Sequence, residues 1–164
     1  MTKRFDRIGN KKLHMQTLCA MAHFDFNDTN AYSYEQAFQI MRQLKLPYPD
    51  WEQLFIRMTF NIIARNQDDH TKNITFLMDE NGRWKLSPAY DVTYSYDPNN
   101  KWMKAHQLSV NGKNEEINRN DLVTVAKEMN IKKPIDIIEK VNASVKKWNK
   151  YAKEAGVNLE QIKA

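Results

Sequence analysis

The sequence predicts a mainly α, α+β domain, and three observations carry that expectation. Apolar residues recur at helical spacing in five stretches, against two or three short stretches of strand character. The 164-residue chain has the length of one domain and is long enough to bury a core. Its 41% hydrophobic and 27% charged residues, with four Trp and seven Phe, suit a folded chain rather than a disordered one.

Taken in order, Leu13 to Ala22 reads as a first, short helix. A second follows in "SYEQAFQIMRQL", where Ser33 and Gln36 stand in capping-box register and Ala37, Ile40, Met41 and Leu44 form the inner face. A third begins after Pro49 with Asp50 as its expected N-cap, and Trp51, Leu54, Phe55, Met58 and Ile62 line its buried side. The period then changes. Residues Ile74 to Met78 read as a strand, Asn81-Gly82 as a turn, and Trp84 to Leu86 as the return strand. "HQLSVNGK" reads as another short strand, ending at Asn111 and Gly112. Leu122, Val125, Ala126 and Met129 mark a fourth helix. Ile135, Ile138, Val141, Val145, Trp148 and Ala152 mark a longer fifth one.

Several function classes drop out on composition. The only glycines are Gly9, Gly82, Gly112 and Gly156, so no glycine-rich phosphate or dinucleotide loop lies in these residues. No apolar run approaches the roughly 18 residues of a membrane span, and "MTKRFDRIGNKK" lacks the apolar centre of a signal peptide, so a cytoplasmic protein with no membrane partner is expected. The single cysteine, Cys19, reads as a small buried apolar residue. The net charge of +5 comes entirely from residues 99–164. Nucleic acid or an acidic protein could use that surplus, but Lys140, Lys146, Lys147, Lys150 and Lys153 fall on what reads as one amphipathic helix, whose solvated face is the simpler account.

Chemistry concentrates in "NIIARNQDDHTKNITF", Asn61 to Phe76, where a buried helix hands over to a hairpin through a polar turn. Asp68 and Asn73 are five positions apart. That is the spacing of the aspartate and asparagine of a kinase catalytic loop, one accepting the proton of the substrate hydroxyl and the other holding Mg²⁺. "LSPAYDV" places Asp91 just after the return strand, where chain reversal carries it back toward Asn73. Asn73, Asp91 and ATP phosphates would make an all-oxygen site for a hard cation. Each residue also has a plainer role: Asp68 and Asp69 as turn caps, Asn73 as a loop end, His70 as a surface histidine, Asp91 as a turn residue after Pro88.

With both motifs in view, "RNQDDHTKNITF" followed by "LSPAYDV" resembles the HipA family of bacterial toxin–antitoxin kinases, and "KRFDR" resembles the segment that leaves the hinge between their two lobes. The resemblance covers nearly the whole chain. It implies a kinase-like C-terminal lobe over residues 1–164, with a hinge remnant at 1–8 and the catalytic loop, hairpin and metal motif at 67–91. It implies ATP and Mg²⁺ as cofactors. Asp68 would be the catalytic aspartate; His70 would lie near the phosphates and Lys72 would neutralise phosphate charge. Asn73 and Asp91 would bind Mg²⁺. Phe5 and Tyr90 would lie along the nucleotide, with backbone groups around Arg4 at the adenine. The activity implied is transfer of the ATP γ-phosphate to Ser or Thr of a protein, in several members an aminoacyl-tRNA synthetase. The partner implied is a HipB-like helix-turn-helix antitoxin, through which any contact with DNA would be indirect.

The chain departs from the family in three ways. The phosphate-covering loop and nucleotide lysine of the N-terminal lobe are expected ahead of "KRFDR" and are absent from this chain. Lys3 stands where some relatives have an acidic residue, and Met15 where others offer the nucleotide a polar side chain. An isolated lobe of this kind is expected to bind Mg-ATP weakly and not to turn over. Two other readings stay open: a small-molecule phosphotransferase, which pairs an Asp with an Asn five residues on, and a silent antitoxin-binding module.

Overall fold

A computed structural model describes residues 4–28, 31–158 and 160; Lys3 lies outside them. The fold is mixed α/β, with six helices and three small sheets among the described residues. Strands β1 (Arg7–Ile8) and β2 (Lys11–Lys12) pair as an antiparallel hairpin. Strand β3 (His14–Thr17) runs directly into the one-turn helix α1 (Leu18–Met21). After β4 (Tyr32–Ser33) come α2 (Tyr34–Gln43) and α3 (Tyr48–Ile63). A hairpin of β5 (Thr75–Met78) and β6 (Trp84–Leu86) follows, then β7 (Leu108–Ser109). Helices α4 (Arg119–Glu128), α5 (Pro134–Val145) and α6 (Trp148–Glu154) complete the chain. No helix among the described residues is long and apolar enough to cross a membrane.

Four sequence expectations need correction. Leu13 to Ala22 is not one helix. Its first half is β3, which pairs antiparallel with β5 from His14↔Met78 to Thr17↔Thr75. Strand β5 is buried nearly throughout, and its backbone polar groups need a neighbour on each edge; β6 supplies one and β3 the other. Thr17 ends the strand by accepting a hydrogen bond from the Ala20 N–H at 3.2 Å, so the helix starts only at Leu18.

Helix α3 starts at Tyr48, with Pro47 rather than Asp50 at the N-cap. Pro49 sits inside the first turn, where its missing N–H costs nothing. Asp50 instead accepts from the Leu86 N–H at 3.1 Å and ties the helix to β6.

The long C-terminal helix is two helices. Ser144 Oγ donates back to the Lys140 carbonyl and the Lys147 N–H bonds Ser144, three residues back, which tightens and interrupts the turn. Lys146, Lys147, Lys150 and Lys153 crowd the same region with like charge, and all are exposed, as is Lys140. Cys19, finally, is half-buried rather than buried, and its Sγ donates to the Phe24 carbonyl at 3.4 Å.

The Ser33–Gln36 capping box is present as the sequence indicates, and Phe38 joins Ala37 and Met41 on the buried face of α2. Helix α3 packs against α2, α5 and β6, and its Leu54, Phe55 and Met58 sit at the centre of one core with Phe38, Phe76, Leu108 and Val125. A central helix and a three-stranded sheet thus form a rigid base for the loop between them.

Candidate active site

The loop from Asn66 to Asn73 is held by hydrogen bonds at both ends and in its middle. At its entrance Asn66 bridges Ser95, the Gln67 N–H donates to the Ser95 carbonyl at 3.0 Å and the Ser95 N–H to the Arg65 carbonyl at 3.1 Å. The segment that follows Asp91 is thereby brought back beside the start of the loop. At its exit the Asn73 N–H donates to the His70 carbonyl at 2.9 Å, and Asn73 Nδ2 donates to the Asp68 carbonyl at 2.9 Å. A carbonyl partner fixes which end of the amide carries nitrogen, so Asn73 Oδ1 faces away from the loop and is available to a ligand.

In the middle stands a residue the sequence reading took only for a turn cap. Asp69 is 2% exposed. Its Oδ2 accepts from the Tyr34 hydroxyl at 2.8 Å and lies 3.0 Å from His106 Nδ1, and its Oδ1 accepts from the Gln107 N–H at 2.9 Å. Asn61 of α3 donates to the Tyr34 hydroxyl at 2.9 Å and accepts from Asn66 at 3.1 Å. One carboxylate therefore ties the loop to α2, α3 and the segment before β7. Burial, then the Asp69 charge, pushes the Tyr34 phenol well above its ordinary range. The partners lie 35 to 38 positions from Asp69 in the chain, so only the fold could reveal them.

Asp69 is buried at this anchor, while Asp68 and His70 on either side of it line a cavity. His70 Nε2 is 3.9 Å from Asp68 Oδ1. Burial pushes the Asp68 carboxyl above the ordinary range; His70 opposes this, and the charges of Asp91 and Asp69 add to it. The hairpin carries Asp91 back to the same cavity that Asn73 lines.

Two cavities flank the loop. One, of about 360 Å³, lies between α3 and residues 88–92 and is lined by His70, Asn73, Tyr90 and Asp91 together with Arg57. The other, of about 300 Å³, is lined by Asp68 and His70 on one side and by Phe26, Tyr32 and Trp102 on the other. His70 faces both.

The segment from Ser87 to Asp91 is braced as firmly as the loop. Arg57 of α3 donates to the Ser87 carbonyl, and the Tyr90 hydroxyl bonds both Thr75 Oγ1 and the Lys72 carbonyl. Tyr90 thus clasps the residue preceding Asn73. Burial is the main cause of its raised phenol pKa. The Phe5 ring lies 5.7 Å from that of Tyr90, tilted by 33°, so the N-terminal segment reaches the same place. Asp91 is exposed and has a φ of +54°, a left-handed conformation that Asp adopts more readily than most residues.

Phe5, Asp68, His70, Asn73, Tyr90 and Asp91 are therefore brought around one loop. Lys72 is not turned to the Asn73–Asp91 side: it is exposed, with its ammonium 3.3 Å from the centre of the Phe26 ring. Among the described residues no three His, Cys, Asp or Glu side chains gather into a metal-binding cluster. Sequence reasoning missed Asp69, Tyr34, Arg57, Phe26 and Trp102. Of these only the aromatic pair left a trace, as aromatic residues in polar stretches.

In the search of solved structures, the chain is similar to HipA in the complex of the Shewanella oneidensis MR-1 toxin–antitoxin system HipA, HipB and its operator DNA, with a TM-score of 0.71 and 16% identity. The likeness covers 87% of this chain but 39% of that one, so the chain spans well under half the length of its neighbour. At that identity it speaks for the fold. No curated protein matches the chain. The family model for the HipA-like C-terminal domain matches residues 1–148, nine-tenths of the sequence, and the chain belongs to that family.

Proposed function

We propose that this chain is the catalytic-loop lobe of a HipA-type protein kinase, which transfers the γ-phosphate of ATP to a Ser or Thr of a target protein. The observation that carries the reading is the bond from Asn73 Nδ2 to the Asp68 carbonyl, which sets a candidate base and a candidate metal ligand in fixed relation while Asp91 lines the same cleft.

The donor set fits Mg²⁺. Asn73 Oδ1 and the exposed Asp91 carboxylate are hard oxygen ligands, and two protein ligands leave the remaining positions to phosphates and water, as this cation prefers. When bound, Mg²⁺ supplies charge neutralisation at the phosphates. Asp68 orients the acceptor hydroxyl and accepts its proton, and burial, by raising its carboxyl above the ordinary range, makes it a better base than a solvated aspartate. His70 keeps the Asp68 carboxylate company and faces the phosphate side. Tyr90 and Phe5 form an aromatic wall on which a base can rest. Catalysis of this type is mainly positioning and electrostatics, which suits a loop braced at three points. By family, the partner is a HipB-like antitoxin, as in the complex that holds the structural neighbour.

Transfer of label from ATP to protein in a lysate of the host, with the chain joined to a HipA-type N-terminal lobe and compared as wild type, Asp68→Asn and Asp91→Ala, tests the proposal. Both variants are expected to fold and to lose transfer: Asp68→Asn changes stability by about 0.5 kcal/mol or less, and Asp91→Ala, which places alanine at a left-handed φ, costs about 1 kcal/mol. Undiminished transfer by Asp68→Asn would remove the base from the mechanism.

A further inference from the structure

We infer that the 300 Å³ cavity beside Asp68 is the acceptor side of the site, and that it selects a large uncharged side chain on a residue flanking the phosphorylated Ser or Thr. The inference rests on the phosphotransfer reading and specifies the substrate within it. Asn73, Tyr90 and Asp91 line the cavity between α3 and residues 88–92, whereas Asp68 lines the other, and His70 forms the partition. Nucleotide on the first side leaves the second for the acceptor, whose hydroxyl must reach Asp68.

A serine side chain alone would occupy little of that space. The cavity is at the lower edge of the roughly 300–1,000 Å³ of sites that take whole small ligands. Its far wall is aromatic: Phe26 and Trp102 are 37% and 38% exposed, and Tyr32 is stacked on Phe24 at 4.0 Å. The wall is fixed to the loop it faces. Phe26 meets the His70 ring edge-on at 5.1 Å, Gln107 bonds the Trp102 carbonyl, and the Gln107 N–H bonds Asp69. An acceptor segment docking there meets a surface already assembled.

Charge decides what it takes. Asp28 and Asp68 both line the cavity and disfavour an acidic side chain. A basic side chain would ordinarily suit carboxylates among aromatic rings, but those rings already carry cations. The Lys72 ammonium lies 3.3 Å from the centre of Phe26 and that of Lys101 4.5 Å from the centre of Trp102. A third cation would meet two like charges. An aromatic or branched aliphatic side chain meets neither conflict and buries apolar surface on both sides.

Peptides containing one serine, identical except for Phe, Leu, Gly, Lys or Glu beside it, test this by nuclear magnetic resonance on the 164-residue chain with Mg²⁺ and a non-hydrolysable ATP analogue. The Trp102 indole N–H is assigned with Trp102→Phe and the Asn73 side-chain amide with Asn73→Asp. The Phe and Leu peptides are expected to move the Trp102 signal and to bind about tenfold or more tighter than the Gly peptide, which is what burial of one large apolar side chain supplies. Phe26→Ala should remove that preference and leave the nucleotide response of Asn73 unchanged. Equal or tighter binding of the Lys or Glu peptide overturns the proposal, as does saturation of Trp102 by an aminoglycoside in place of any peptide. A nucleotide response at Asn73 with no peptide preference at Trp102 overturns the cavity assignment alone. No response at Asn73 overturns the phosphotransfer reading, and the acceptor assignment with it.

Discussion

At the scale of single residues, Asp69 and Asp91 illustrate opposite relations between stability and function. Asp69 is buried and accepts hydrogen bonds from three partners on two separate segments, so its contribution is to the fold and, through the neighbouring Asp68, to the site. Asp69→Ala leaves the buried Tyr34 hydroxyl and His106 ring and the part-buried Gln107 N–H without their acceptor and is expected to cost about 3–5 kcal/mol. Asp69→Asn retains one acceptor oxygen and should cost less. Urea unfolding orders the three proteins, and an Asp69→Ala midpoint equal to wild type would show that the anchor is unimportant. Asp91 is the reverse case. Its φ of +54° is a conformation that glycine adopts without penalty. Asp91→Gly is expected to stay within about 1 kcal/mol of wild-type stability, because relief of strain offsets the greater entropy of the unfolded chain, while Mg-ATP binding measured by calorimetry is lost. Marked destabilisation would show that the carboxylate has a structural role.

At the scale of elements, local signals succeed where the element's end is set by its own side chains. Ser33 and Gln36 make the capping box their spacing suggests. Asn118 and Asp121 make a second one, with Asn118 accepting from the Asn120 N–H and Asp121 from the Asn118 N–H at 2.9 Å. Asp121 also accepts from Asn111 and Lys113, and with these donors its carboxyl is held down to about 2 in spite of its burial. The folded protein releases this proton more readily than the unfolded chain does. Asp121 therefore stabilises the fold above the ordinary carboxylate range, and that stabilisation is lost as pH falls toward about 2. The gap in urea midpoint between wild type and Asp121→Asn is expected to be full at neutral pH and to close on acidification; a gap that widened in acid would reverse the sign. Local signals fail where a neighbour decides. His14 to Thr17 is drawn into a sheet by β5, and the lysine-rich C-terminal periodicity breaks at Ser144 to Lys147 although its apolar spacing continues.

At the scale of the whole molecule, α3 and β5 lie at the centre, and the site sits on the loop that joins them. Amide exchange should therefore be slowest at Phe76 and Leu77 of β5 and at Phe55 and Met58 of α3, and fastest in residues 146–158, where among the described residues only Ala152 and Val157 turn inward. Comparable protection in α6 and β5 would contradict this hierarchy. The sequence by itself determined that helices would dominate beside a small hairpin, and it singled out Asp68, Asn73 and Asp91 as candidates, because period, turn chemistry and motif spacing are local properties of the chain; Phe5, His70, Lys72 and Tyr90 joined them through the family resemblance. Their arrangement was another matter. That Asp69 anchors the loop through Tyr34 and His106, that the Tyr90 hydroxyl clasps Lys72 to Thr75, that Lys72 turns to Phe26, and that Phe26 and Trp102 face Asp68 across a cavity were decided only by the tertiary structure. Most of these contacts join residues far apart in the chain, and no one-dimensional spacing records which distant donor a buried carboxylate will find once the core has closed around it.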